Sequence, residues 1–190
     1  MYKCVPAATL FVICYINHIF SLYVTRVNLE ENRLPLKDLI HDSFEKIDSL
    51  YLNIVFCIHI IYFLLFVLNS RYKIKIYNRV SLFLSFITML RFITITMTYY
   101  PNARKCNKPS FGNYCGDMMF SEHTAIAITT YLAYIDYNNK HSIININFIT
   151  MLASILLLIL TRMHYTNDVV ISSYITYITW KYSYVIYPDN

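Results

Sequence analysis

Asn113-Tyr114-Cys115-Gly116-Asp117-Met118-Met119-Phe120-Ser121-Glu122-His123-Thr124 sets one of only two glycines beside two carboxylates, a hydroxyl and a histidine. Long apolar runs flank this stretch on both sides. Further along, His164-Tyr165-Thr166-Asn167-Asp168-Val169-Val170 repeats the arrangement, with reactive groups again at the edge of an apolar run. Polar groups placed twice at such edges suggest a site assembled between helices, with the remaining chain as the frame that brings the two together.

The bulk composition says what kind of frame. The chain has 190 residues, 57% hydrophobic, 17% aromatic and only 14% charged. A soluble domain carries about 25% charged residues, so the deficit points to an integral membrane protein whose apolar surface faces lipid. The net charge of +5 is spread along the chain and forms no basic stripe, which argues against a nucleic-acid partner. Cys4, Cys14, Cys57, Cys106 and Cys115 have no Cys-x-x-Cys spacing, so a zinc site is not indicated. Cys106 and Cys115 share one polar loop and could pair if that loop faces an oxidising lumen.

Apolar runs over 5–24, 50–68, 80–100, 122–137, 143–161 and 167–187 predict an all-α bundle of six transmembrane helices, because about 20 apolar residues cross a hydrocarbon core of about 30 Å. The first run lacks the charge pattern and cleavage site of a signal peptide and reads as an uncleaved helix. His18 and His59 lie inside runs and read as packed side chains. The stretch Arg71-Tyr72-Lys73-Ile74-Lys75-Ile76-Tyr77-Asn78-Arg79 has four basic residues and no acid. Read as a loop, it marks the cytosolic side. Both termini are then cytosolic, and loops 26–49, 101–121 and 162–167 face the lumen or exterior. With no internal repeat or linker, residues 1–190 are read as one domain.

Arg91 interrupts the third run, at an insertion cost of roughly 2.5–3.5 kcal/mol, and so should face a partner or a watery cavity. It shares a helical stripe with Thr94 and Thr98, leading to Pro101. His164 and Asp168, four residues apart, fall on one face if both are helical, and the carboxylate can then orient the imidazole. With His123 at the same membrane boundary, two histidines and an aspartate suit covalent phosphoryl transfer. One histidine attacks phosphorus, and the other protonates the leaving oxygen and then deprotonates the acceptor. Arg91 could hold the phosphate oxygens meanwhile. Spacing alone leaves other readings open: a helix cap or surface ion pair, a metal site, or polar packing without chemistry.

Cys115-Gly116-Asp117-Met118-Met119-Phe120-Ser121-Glu122-His123-Thr124 resembles the Cys-Gly-Asp-x-x-[Phe/Tyr]-Ser-Gly-His-Thr motif of sphingomyelin synthases. His164 to Val170, with Tyr174-Ile175-Thr176, looks like that family's His-Tyr-Thr-x-Asp-Val motif and following helix. Arg91, Thr94, Thr98 and Pro101 fit its arginine–threonine–proline element, and Leu34-Pro35-Leu36 with Asp38 is a weaker echo of its Pro-Leu-Pro-Asp loop. These elements stand in family order within residues 33–180.

The resemblance implies a helical bundle related to the lipid phosphate phosphatases (the PAP2 superfamily), with a catalytic triad of His123, His164 and Asp168. His164 would attack a phospholipid and release diacylglycerol. His123 would then help ceramide take the phosphocholine or phosphoethanolamine of phosphatidylcholine or phosphatidylethanolamine. Arg91, Asp117 and Ser121 are the expected substrate- and phosphate-binding residues. No metal and no soluble cofactor is implied. The expected setting is Golgi, endoplasmic reticulum or plasma membrane with a lumenal or exoplasmic site, and association as a homo-oligomer stays open. Glu122 departs from the pattern, standing where the family has glycine. A hydrolase using water as acceptor is the nearest alternative, although the phosphatases' longer basic signature before the first histidine is missing. A lipid-binding protein without activity is the third reading, and Glu122 is its best support.

Overall fold

The computed structural model describes residues 5–30, 35–97, 101, 103, 119–138 and 145–186. Seven helices lie in these residues: α1 (Val5–Glu30), α2 (Leu39–Ser43), α3 (Ser49–Asn69), α4 (Lys73–Met97), α5 (Glu122–Tyr137), α6 (Ile146–Leu160) and α7 (Thr166–Ile186). No strand occurs among the described residues. Side-chain oxygens start several of the helices by accepting otherwise unpaired backbone N–H groups. Asp38 caps α2, Asp48 caps α3, Ser121 caps α5 and Asn145 caps α6.

Each expected span corresponds to a helix, but the helices are not alike. Ala8–Val27 of α1, α3 and α4 are long and apolar enough to cross a membrane, which makes the chain an integral membrane protein. Helix α6 is apolar but has 15 residues, and α5 has 16. Both are shorter than the ~20 residues a perpendicular span takes. Packing explains the modest hydropathy of α5. It touches α3, α4, α6 and α7, so its neighbours are mostly protein rather than lipid. Ala125, Ala127 and Ala133 are fully buried on it, and such small side chains let helix backbones approach closely. Thr129 and Thr130 are buried there too. By contrast, α1 and α3 leave Phe11, Ile16, Leu64 and Leu65 exposed, as lipid-facing helices do. Helix α1 lies along α4, and α3 along α6.

His59 ties three of these helices together. Its Nδ1 lies 2.9 Å from Thr150 Oγ1 and its Nε2 lies 2.7 Å from Thr130 Oγ1, so both ring nitrogens are satisfied between α3, α6 and α5.

The expected cytosolic loop 71–79 is corrected. Helix α4 begins at Lys73, and the connection from α3 is a tight turn around Ser70–Tyr72. Lys73, Lys75 and Arg79 therefore ride on the first turns of α4. Arg79 is buried, with Nη1 3.7 Å from Asp136 Oδ2. Its Nη1 also donates to the Tyr137 hydroxyl (3.4 Å) and its Nη2 to Ser183 Oγ (3.2 Å). The guanidinium lies 4.3 Å from the Trp180 ring centroid, and the Trp180 indole donates to Asp136 Oδ2 at 2.8 Å. A buried arginine is tolerated only with such partners, and all of these come from helices distant in sequence. Phe83 meets Trp180 edge-on at 5.0 Å, a contact worth about 0.5–1.5 kcal/mol beyond area burial.

Candidate active site

The site is built where α5 and α7 begin. Ser121 Oγ caps α5, accepting from Thr124 N (3.3 Å) and Thr124 Oγ1 (2.9 Å). Ser121 N donates to Ser172 Oγ at 2.7 Å, and that hydroxyl in turn donates to Asp168 O at 2.6 Å. One serine thus ties the residue two before His123 to the first turn of α7. Phe120 is fully buried and its carbonyl accepts from Arg91 Nε at 3.3 Å. Arg91 Nη1 lies 3.3 Å from Glu122 Oε2, so α4 reaches the same place. The His123 ring meets Phe56 of α3 edge-on at 5.1 Å.

The second motif begins with a sharp reversal. Helix α6 closes with Met163 N donating to Leu158 O and Arg162 N to Ile159 O, the paired bonds of a Schellman turn. The residue at its left-handed position is Arg162, with φ 57°, where a side chain costs roughly 1–2 kcal/mol relative to glycine. Its guanidinium supplies compensation, since Nη2 donates to His41 O at 2.6 Å.

His164 follows in that turn, and Asp168 lies in the first turn of α7. The expected pairing on one helical face is therefore corrected, because His164 stands outside the helix. The pair still meets, Nδ1 to Oδ2 at 3.6 Å, with residue exposures of 7% and 1%. Asp168 Oδ2 also accepts from Tyr165 N at 3.1 Å. A carboxylate in the first turn reaching back to a preceding N–H is half of a capping box. The cap draws the turn over the carboxylate and carries His164 with it.

A strap of residues 35–44 is fastened to this turn. Asp38 Oδ2 accepts from Thr166 N (2.7 Å) and Oδ1 from Thr166 Oγ1 (2.9 Å). Burial pushes the Asp38 carboxyl up, but the Thr166 N–H and hydroxyl and the His41 N–H outweigh it and hold the group below the usual carboxylate range. The Tyr165 hydroxyl donates to Pro101 O at 3.0 Å and accepts from Leu36 N at 2.9 Å. Burial is the main cause that raises the Tyr165 phenol above its ordinary value. The His41 ring stacks on Tyr165, 5.8 Å between centroids.

Arg91, Ser121, His164 and Asp168 thus belong to one connected cluster around the starts of α5 and α7, and His123 sits on the first turn of α5. Asp117, Gly116, Thr98, Cys106 and Cys115 lie outside the described residues. Among the described residues no three His, Cys, Asp or Glu side chains stand together as a metal site needs. Sequence reasoning missed Ser172, Arg162 and the joining role of Tyr165. Tyr165 and Asp38 were present in recognisable motifs, whereas Ser172 carries no signal until its partner across the bundle is known.

Residues 114–186 match the family described as PAP2 superfamily C-terminal. The chain is also similar to the phosphatidylinositol:ceramide inositolphosphotransferase of Trypanosoma cruzi (strain CL Brener), 32% identical over 115 residues. That match covers 50% of this chain and 34% of the relative, so the chain matches about a third of that curated protein's length. The family match takes in α5, α6 and α7 with His123, His164 and Asp168, and the two findings support a PAP2-related protein of the sphingomyelin synthase-like type.

Proposed function

We propose that this protein is a lipid phosphotransferase that moves phosphocholine or phosphoethanolamine from a glycerophospholipid to ceramide and releases diacylglycerol. The observation that carries the reading is the His164–Asp168 pair, buried at 3.6 Å and tied through Ser172 to the start of α5 beside His123. In this reading residues 1–190 form one domain with six spanning helices, α5 and α6 reaching across despite their length. The site faces the lumen or exterior of the Golgi, endoplasmic reticulum or plasma membrane.

Asp168 Oδ2, 3.6 Å from His164 Nδ1, closes to hydrogen-bonding distance in the substrate complex, which leaves Nε2 as the nucleophile. Attack on phosphorus breaks the bond to the diacylglycerol oxygen, and protonated His123 supplies the proton that oxygen needs. The phosphorus is then carried on His164 with its headgroup. Neutral His123 next takes the proton of ceramide's primary hydroxyl as that oxygen attacks, which frees His164. Arg91 and Ser121 take the phosphate, a role the motif also assigns to Asp117, and the starts of α5 and α7 add positive helix ends to the site.

A second reading keeps the first half-reaction and lets water take the phosphoryl group, giving a lipid phosphatase or phospholipase-C-like hydrolase. The PAP2 match supports this reading as well as the transferase. The test supplies labelled ceramide and phospholipid to vesicles carrying the protein, with His164→Ala as control. A phosphosphingolipid lost in the variant is the expected result. Free diacylglycerol with no such product would replace transfer by hydrolysis, and neither product would end the enzymatic reading.

A further inference from the structure

Glu122 has no part in the mechanism above, yet it sits against the residue assigned to the phosphate. Its carboxylate is 3.3 Å from Arg91 Nη1, with side-chain exposures of 31% for Glu122 and 5% for Arg91. The guanidinium is anchored on its other side by the Phe120 carbonyl. Arginine is thus the fixed partner, and the carboxylate, on the first turn of α5 next to His123, is the one that can turn away.

A phosphodiester arriving at Arg91 takes over the guanidinium and leaves Glu122 needing another cation. Removing one member of a largely buried ion pair leaves a costly unpaired charge. The lipid's own headgroup decides whether that cost arises. A choline or ethanolamine headgroup carries its ammonium a short two-carbon link from the phosphate. Phosphate can then lie on Arg91 while ammonium lies on Glu122, and every charge keeps a partner. An inositol headgroup brings no cation, so Glu122 is stranded beside the phosphate it repels. A phosphomonoester adds further negative charge to the same place.

We propose that Glu122 is a specificity-determining residue that exchanges its Arg91 partner for the headgroup ammonium and so selects zwitterionic glycerophospholipid donors over inositol phospholipids. This inference rests on the phosphotransferase reading for its substrate class.

The test measures donor binding apart from turnover. The His164→Ala protein, in vesicles of equal phosphatidylcholine, phosphatidylethanolamine and phosphatidylinositol, is purified and its retained lipids are quantified. Zwitterionic lipids should exceed phosphatidylinositol by about tenfold, the factor that 1.4 kcal/mol provides. Adding Glu122→Gln should bring the ratio near parity, and adding Glu122→Asp should keep it. A second measurement needs no change at Glu122: a phosphatidyl ester of 3,3-dimethylbutanol has choline's shape without its charge, and it should bind about tenfold more weakly than phosphatidylcholine. Equal binding of that isostere, an unchanged ratio in Glu122→Gln, or a preference for phosphatidylinositol would each overturn the inference. The protein with His164 intact, given the donor it retains together with ceramide, reports on the parent reading separately. Absence of both phosphosphingolipid and diacylglycerol there would sink the phosphotransferase while the headgroup selection stood as measured.

Discussion

Helix α4 carries two buried arginines, each facing a carboxylate of α5, in different surroundings. Arg79 lies 3.7 Å from Asp136 and Arg91 lies 3.3 Å from Glu122. Around Arg79 the structure adds an indole face, a phenol and a serine hydroxyl, so the group is engaged by partners from both α5 and α7. Arg91 donates to the Phe120 carbonyl and faces the partly exposed Glu122 carboxylate, beside the segment that bears His123. A charge spent on partners from two other helices is a clamp between helices. A charge whose counter-ion is a third exposed can be handed to a ligand. In the proposed mechanism, burial of an arginine does not by itself mark a site, and the exposure of its counter-charge is the distinguishing cue.

Exchanging the carboxylates gives the widest separation between the two ends. Asp168→Asn, at the α7 start on the Arg91 side, should lower turnover by about 10⁴-fold, the scale expected when a carboxylate no longer orients a catalytic histidine. Asp136→Asn should leave turnover within about twofold and weaken the fold instead, which transfer assays and thermal unfolding of the detergent-solubilised protein would read together. A large activity loss in Asp136→Asn would erase the distinction.

The arginines themselves come next. Arg91→Gln should reduce turnover by about 10²–10³, as removing a transition-state donor does. Arg79→Gln should cost about 3–5 kcal/mol of stability by leaving Asp136 without its ion partner, seen as a lower denaturation midpoint with normal specific activity in the folded fraction. Replacing both members, Arg79→Met with Asp136→Leu, should recover most of that loss, because an apolar pair of similar volume needs no counter-charge.

The smallest effect concerns the strap. The folded-state pKa of Asp38 lies below its ordinary value, so its contribution is complete above about pH 4 and is lost as pH falls through the depressed folded value. Stability measured from pH 5 downward should fall less steeply in Asp38→Asn than in the parent. Parallel curves would show that the Thr166 bonds do not depend on the Asp38 charge.

Much of this could be read in residue order. Six apolar runs became six helices, three of them long and apolar enough to cross a membrane, because a run's length and hydropathy are local properties. His164 and Asp168 were recognisable as a pair from their spacing, and they do meet. The manner of meeting was not legible: the spacing suits two residues on a helix, but the Schellman turn at Arg162 and the cap from Asp168 to Tyr165 place His164 just before it. The basic stretch 71–79 misled for a related reason. Four cations in nine residues read as a solvated loop when nothing local can neutralise them, and Asp136 and Trp180 are far away along the chain.

The sequence alone determined that this is a helical membrane protein with reactive groups at two run edges, because hydropathy, cap residues and motif spacing act within a few turns of chain. Only the tertiary structure decided which polar groups are partners. It joined Ser121 to Asp168 through Ser172, closed Arg79 against Trp180, and set Glu122 on Arg91. The physical reason is that a buried charge or hydroxyl must be satisfied by whatever the bundle brings near it, and a one-dimensional pattern carries no record of that neighbour.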